Sequence, residues 1–285
     1  KERDRHKVIG MLSKKFSLLI MTFFLLTGCV QKSTASPSNQ AKAEEEESKP
    51  IETEIAVAGN ESRSSSFQLQ GDIKIVALGD SLTKGVGDRT KEGYVGLVSD
   101  ELEKKEDISS VSTVNFAAMG HSTENLLKKL DEDQVKKELE DADLIFMTIG
   151  ANDLMKVVRE NIFELTVELF QEERLLYEQR LRDIMNKIRS TNEQAVIAFI
   201  GLYNPFAWKL AEFPEIDMII SEWNERTKQI LLGDGRAVFV SIQDIFQEGE
   251  VNNLLYADEF HPNENGYVLI AARVMETLEN GTKKD

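Results

Sequence analysis

From residue 73 onward, five short apolar runs punctuate the chain: IKIVAL at 73–78, VSTVNFA at 111–117, ADLIFMTIG at 142–150, AVIAFIGL at 195–202 and AVFVSI at 237–242. The third and fourth are almost unbroken in apolar character, which suits strands covered on both faces. Between the runs the period becomes helical. Tyr94, Val98 and Leu102 share one face, as do Leu126, Leu127 and Leu130. Tyr177, Leu181, Ile184 and Ile188 form a third stripe, and Trp223, Thr227, Ile230 and Leu231 a fourth. After His261-Pro262, the residues Tyr267, Ile270, Ala271, Val274 and Leu278 mark a last helix. Residues 154–190 are long for one crossover and predict two helices. Strand and helix alternate, so the expected fold is α/β: a three-layer α/β/α sandwich on a five-stranded parallel sheet with right-handed crossovers. Sites in such sheets gather outside the carboxyl ends of the strands.

The pattern before residue 71 is of another kind. Residues 1–10 are mixed and charged, and Met11 is the expected natural start. Lys14 and Lys15 then precede an apolar run, Phe16 to Leu26, which is short for a membrane span. The run ends in LTGC, with Cys29 the single cysteine of the chain, so no intramolecular disulfide can form. An N-terminal membrane anchor that keeps its helix is one reading of 11–28. The LTGC end, however, resembles the lipobox of bacterial lipoproteins. That resemblance implies cleavage before Cys29, a diacylglyceryl group on its sulfur, and a place on the extracytoplasmic face of a bacterial cell membrane. Residues 30–70 are rich in Ser, Glu and Gln and poor in large apolar groups. Such a segment buries too little surface to offset its ordering entropy. The expected organisation is therefore a signal peptide at 11–28, a flexible tether at 29–70 and a folded domain at 71–281. IETEIAVAG at 51–59 is the one tether segment with a strand-like pattern.

Charge narrows the partners. The formal net charge is −16, and residues 1–28 hold six basic and two acidic residues, leaving −20 for the rest. Such a chain repels nucleic acid, and no basic stripe offsets the repulsion. Oligomeric state is not legible.

The expected strand ends carry the candidate chemistry. The first run ends in Gly79-Asp80-Ser81-Leu82 and the second in NFAAMGHST, which contains Gly120. The third ends in Gly150-Ala151-Asn152-Asp153, and Asp258-Glu259-Phe260-His261 follows the fifth. All four segments would converge on one edge of the sheet. A serine nucleophile needs a base, a group that orients the base, and donors for an oxyanion. Of the three histidines, His6 lies in the leader, so the base is His121 or His261. Asp258, three residues before His261, can reach Nδ1 on a tight turn and leave Nε2 facing the serine. His121 lacks a comparable acid, because Glu124 would lie on the following helix, and a polar loop role suits it better. Pro262 keeps His261 extended and out of the last helix. Taken alone, Ser81 is also compatible with a helix cap, and His261 with a structural histidine. Metal catalysis is disfavoured, since two candidate histidines without HxH or HExxH leave no ligand set. No cofactor is implied. GDSLT is not the G-x-S-x-G elbow of α/β-hydrolases.

These blocks resemble those of the SGNH (GDSL) hydrolase family over nearly all of residues 72–281. The tetrapeptide GDSL alone is weak; four blocks in order, each at a strand end, are specific. GLYNPF at 201–206 is also similar to lipid-anchored bacterial members. The resemblance implies that Ser81 is the nucleophile, His261 the base and Asp258 its partner. It further implies an oxyanion hole built from the Ser81 N–H, the Gly120 N–H and the Asn152 side-chain amide. Ser81 would then open a helix, whose free N–H groups favour negative charge, and Gly120 would allow close backbone approach. Asp80 and Asp153 are expected to hold their loops by Asx-type bonds. An apolar rim of Leu154, Met155, Tyr203, Phe206 and Trp208, with Val86 nearby, would suit an acyl chain; loop packing explains the same residues equally well. The expected activity is lipase or esterase hydrolysis of acyl esters, lysophospholipids and thioesters included. The alternatives are an O-acetyl esterase on cell-wall carbohydrate and a non-catalytic anchored binding lipoprotein.

Overall fold

The computed structural model describes residues 67–90, 92–205, 213, 215–246 and 251–282. The leader, Cys29, nearly all of the expected tether, Phe206 and Trp208 lie outside the described residues. Five strands form one sheet: β1 (Gly71–Gly79), β2 (Ile108–Asn115), β3 (Leu144–Thr148), β4 (Val196–Ile200) and β5 (Ala237–Val240). Their order is β2-β1-β3-β4-β5, and every pair is parallel. The α/β fold expected from the alternating pattern is the one observed.

Side chains alternate across the sheet, so each strand feeds two cores. Val76, Leu78, Ile145, Met147, Ile197 and Phe199 enter one of them. Ile75, Ala77, Leu144, Phe146, Ala198 and Ile200 enter the other. Both faces are covered, which is why the third and fourth runs read as continuous apolar text. Helices α1 (Gly93–Leu102) and α8 (Glu264–Thr282) cover the second core through Tyr94, Val98, Tyr267, Ile270 and Val274. The first core is covered by α2 (Thr123–Lys129), α3 (Asp133–Glu140), α4 (Ala151–Glu160), α5 (Val167–Thr191) and α6 (Ile216–Leu231). One further turn, α7 (Val251–Leu254), precedes the last strand-end segment. Among the described residues no helix is long and apolar enough to cross a membrane.

The segment 154–190 does hold two helices, α4 and α5. The segment between β2 and β3 holds two helices as well, α2 and α3, because the chain tightens at residues 130–132, where the Asp131 N–H donates to Lys128 O at 3.1 Å. The strand β2 starts three residues before its apolar run and ends at Asn115. It is an edge strand with mostly exposed side chains, so hydrophobicity does not mark its limits. Phe67 also departs from expectation. It lies in the expected tether, yet it is buried and its N–H donates to Gly281 O at 3.3 Å. Its ring packs so closely that a Cβ on Gly281 would stand 2.8 Å from it. Phe67→Ala should therefore lower unfolding free energy by about 3 kcal/mol. Urea denaturation checks this; an unchanged midpoint would leave Phe67 in the tether.

Candidate active site

The site begins where β1 ends. Gly79 has φ +123, and a Cβ there would lie 1.9 Å from Thr148 O. Only glycine permits that approach of β3 to β1. Beyond it the Asp80 N–H donates to Thr148 O at 3.1 Å. The Asp80 Oδ1 accepts from the Leu82 N–H at 3.1 Å and from the Thr148 hydroxyl at 2.6 Å. Behind them Thr148 Oγ1 meets Thr83 Oγ1 at 2.8 Å, and Thr83 Oγ1 meets the Tyr94 hydroxyl at 2.7 Å. Burial pushes the Asp80 carboxyl up to about 6, against the pull of the Thr148 and Leu82 hydrogen bonds. Ser81 is thereby held on a buried polar floor. It does not open a helix as expected: residues 81–87 are successive turns, with the Lys84 N–H donating to Asp80 O and the Val86 N–H to Ser81 O, each at 3.1 Å. The glycines at 85 and 87, both at positive φ, let the chain curl before a helix can propagate.

His261 arrives on a turn after α7. Asp258 Oδ1 accepts the N–H groups of Phe260 and His261, both at 3.0 Å. Glu259 sits at φ +56, the left-handed conformation that makes the turn tight. His261 Nδ1 then lies 2.6 Å from Asp258 Oδ2, and Nε2 lies 2.8 Å from Ser81 Oγ. A carboxylate accepts only, so Nδ1 carries the proton, Nε2 is the acceptor, and the Ser81 hydroxyl donates to it. Burial would raise the Asp258 carboxyl, but the bonds from the His261 ring, the His261 N–H and the Phe260 N–H together hold it below the usual carboxylate range. Pro262 pairs with Leu255 in an antiparallel bridge and keeps His261 outside α8.

Gly120 and Asn152 come from β2 and β3. Gly120 has φ +78, while a Cβ there would meet nothing within 4 Å. Its backbone angle, rather than crowding, is what calls for glycine. Asn152 Nδ2 donates to His121 O at 2.9 Å, which ties the Gly120 loop to the first turn of α4 and leaves the second amide proton free. Among the described residues, neither the Ser81 N–H nor the Gly120 N–H has an acceptor. The His121 ring is not among the groups lining the Ser81 cleft, and burial, then Lys129, holds its pKa down. Asp153 does not make the local Asx bond expected of it. It reaches across to Thr123 N at 2.9 Å and to Arg180 Nη1 at 3.1 Å.

Ser81, Asn152 and His261 open onto one cleft walled by Leu82, Leu154, Met155, Leu202, Tyr203, Ile220 and Phe260. Leu154, Met155 and Tyr203 thus stand where the rim was expected. Val86 does not: its carbonyl accepts the Tyr267 hydroxyl at 2.7 Å, against α8. The sequence reading missed Thr148, whose signal is a lone polar residue inside an apolar run. It also missed Ile220, which an amphipathic helix pattern assigns simply to the core. Among the described residues no cluster of His, Cys, Asp and Glu could hold a metal ion.

Residues 77–269 match the GDSL-like lipase/acylhydrolase family. The chain belongs to this family. It is 38% identical over 265 residues to YpmR, an uncharacterized protein of Bacillus subtilis (strain 168), covering 93% of this chain and 95% of that one. It is 28% identical over 213 residues to the spore germination lipase LipC of Bacillus licheniformis, with 71% and 94% of the two chains covered. Among solved structures it is similar to the lipase Lip_vut3 from a goat rumen metagenome, at TM-score 0.65 and 26% identity over 72% of this chain and 97% of that one. The GDSL block of the family name is here the Gly79–Leu82 turn.

In this acylhydrolase the buried Asp80 makes a testable contribution to stability. A carboxyl raised from 3.8 to about 6 on folding holds its proton more tightly in the folded state. Its contribution is fully present below pH 3.8 and is lost as pH rises to about 6, a change on the order of 3 kcal/mol. Asp80→Asn keeps the accepting Oδ1 and removes the titration. The stability of the variant relative to wild type should rise between pH 4 and pH 7, read by denaturant unfolding at each pH. Parallel curves would show that Asp80 does not titrate there.

Proposed function

We propose that this acylhydrolase cleaves carboxylic esters of apolar acyl groups by a serine mechanism, from a lipid anchor at Cys29 on the extracytoplasmic face of a bacterial membrane. The observation that carries the reading is the hydrogen-bonded chain Ser81–His261–Asp258 at the mouth of an apolar cleft. His261 Nε2 takes the Ser81 proton as Oγ attacks the acyl carbonyl. Asp258, held anionic by three donors, stabilises the imidazolium that forms. The Ser81 and Gly120 N–H groups and the Asn152 amide receive the oxyanion. His261 then protonates the leaving alcohol, and water releases the acyl group by the reverse steps. The leucines, Met155 and Ile220 of the cleft wall favour an acyl chain over an acetylated sugar, which would ask for more polar partners. The lipase relatives support the same class.

Ser81→Ala and His261→Asn should each lower kcat for a p-nitrophenyl ester by about 10³ or more, with His121→Asn within a few fold of wild type. A fluorophosphonate probe should label wild type and leave Ser81→Ala unlabelled. Labelling of Ser81→Ala, or loss of activity in His121→Asn with His261→Asn intact, would refute the assignment. Octanoyl and lysophospholipid esters should outrun acetyl esters; a preference for acetylated sugar would select the carbohydrate alternative. Intact mass of the membrane fraction tests the anchor. The expected species starts at a diacylglyceryl-modified Cys29, and an unmodified chain retaining 11–28 refutes it.

A further inference from the structure

Two neighbouring side chains on the first turn of α4 grip the same loop. Asn152 Nδ2 donates to His121 O at 2.9 Å, and the Asp153 carboxylate accepts from the Thr123 N–H at 2.9 Å and from the Thr123 hydroxyl. Gly120 lies between this grip and the Ala118 N–H, which donates to Gly79 O at 3.0 Å. The α2 helix does not depend on Asp153 for its cap. Ser122 and Asn125 already form a capping box there, with the Ser122 N–H donating to Asn125 Oδ1 at 3.0 Å. The distinct consequence of the Asp153 bonds is to fix the Gly120 loop against α4.

That carboxylate is only 1% exposed, and one guanidinium holds it. Arg180 Nη1 lies 3.1 Å from Asp153 Oδ1 and 3.3 Å from Thr123 Oγ1, so it touches both sides of the grip. Its third contact is Glu173 Oε1 at 3.0 Å, and Lys156 sits 3.4 Å from the other Glu173 oxygen. Two carboxylates and two cations thus balance. Three residues before Arg180 on the same face of α5, the Tyr177 ring packs on Gly150, where a Cβ would come within 2.7 Å. The long helix α5 therefore braces the start of α4 at two points. Arg180 does not line the Ser81 cleft.

We propose that Arg180 is a positioning residue for ester hydrolysis: acting through Asp153 and Thr123, it locks the Gly120 loop to α4 and so sets the separation of the Gly120 N–H from the Asn152 amide. This rests on the oxyanion assignment made above. Without the guanidinium, Lys156 still pairs with Glu173 but Asp153 loses its cation, and a proton taken up by Asp153 removes one acceptor from Thr123. The loop then loosens, and donors displaced by a fraction of an ångström stabilise the transition state less while ground-state binding in the cleft is untouched.

The test is steady-state hydrolysis of a p-nitrophenyl ester by the full chain, with folded fraction followed by circular dichroism under assay conditions. Arg180→Gln should lower kcat about 10-fold with KM within about twofold of wild type. Arg180→Lys, which keeps the charge, should recover most of the rate. Thr123→Val should reproduce the kcat-only loss without touching a charge. Asn152→Ala alone should cost about 10²–10³ in kcat, and adding Arg180→Gln to it should cost clearly less than the product of the two, since both act on one donor set. A folded Arg180→Gln enzyme with wild-type kcat, a rise in KM alone, or full multiplicativity with Asn152→Ala would overturn the proposal while an impaired Asn152→Ala left the oxyanion assignment standing. Wild-type kcat in Asn152→Ala would overturn that assignment, and the role of Arg180 with it.

Discussion

One backbone oxygen determines how the site is assembled. Thr148 O occupies the space that a Cβ on residue 79 would fill, at 1.9 Å from its ideal position. Because residue 79 is glycine, β1 and β3 stay in register to their last residues, Gly79 against Thr148. The next N–H, that of Asp80, then closes on the same oxygen at 3.1 Å. This is also the point where the strand order turns back on itself, between β1 and β3. One crossover leaves toward β2 and another toward β4, which opens a crevice. Ser81 and Asn152 emerge on its two sides, and a bulkier residue at 79 would separate the strands that carry them.

The histidine has no strand of its own to place it. It lies 180 residues from Ser81 and depends on contacts made by its turn. A Cβ on Gly87 would stand 2.1 Å from Pro262 O, so the loop after Ser81 lies directly on the segment carrying His261. The Tyr267 hydroxyl donates to Val86 O at 2.7 Å, and the Tyr203 hydroxyl to Phe260 O at 2.5 Å. Asn263 donates to Leu255 O at 3.0 Å and so ties the two ends of the turn. The Ser81 loop, the residues after β4 and the start of α8 thus hold the imidazole from three sides. Leu154, Met155 and Ile220 of the cleft wall make none of these bonds, whereas Tyr203 belongs both to the wall and to the contacts that hold the His261 turn.

The sequence shows the parallel sheet well because both its faces are buried, and burial leaves long apolar runs at β3 and β4. It shows β2 poorly because that strand lies at an edge and carries serines and threonines on exposed faces. The Ser81, Asn152 and His261 blocks are legible because each stands at the end of an apolar run or at a spacing with one geometric use. The Asp258–His261 spacing predicts a turn, and the turn is there. What could not be read was the environment. A helix after Ser81 is a fair inference from LTKGVG, but two positive-φ glycines turn the segment into successive turns. Asp153 reads as a loop acid, and its partners, Thr123 and Arg180, lie 30 and 27 residues away. No local pattern encodes such a contact. Phe67 is missed for the same reason, since a single aromatic in polar text gains its core only when α8 folds beside it.

Three carboxylates near the site differ by environment alone. Asp153 and Asp80 are both raised by burial, although hydrogen bonds oppose the shift in each. Asp258 is also penalised by burial, but less of it is enclosed, and the three donors of its own turn prevail. Only Asp258 faces the imidazole, and only there does a full negative charge serve the proposed chemistry, by stabilising the cation formed as His261 takes the serine proton. A second full charge at Asp80, directly beside Ser81, would oppose the developing oxyanion. Burial raises the Asp80 carboxyl to about 6, and above that pH the Thr148 hydroxyl and the Leu82 N–H donate to the carboxylate and disperse its charge. The DS of the first block therefore sets beside the nucleophile an acid whose charge is met by donors of its own loop and of β3, while the turn at 258–261 strengthens the acid that the imidazole needs.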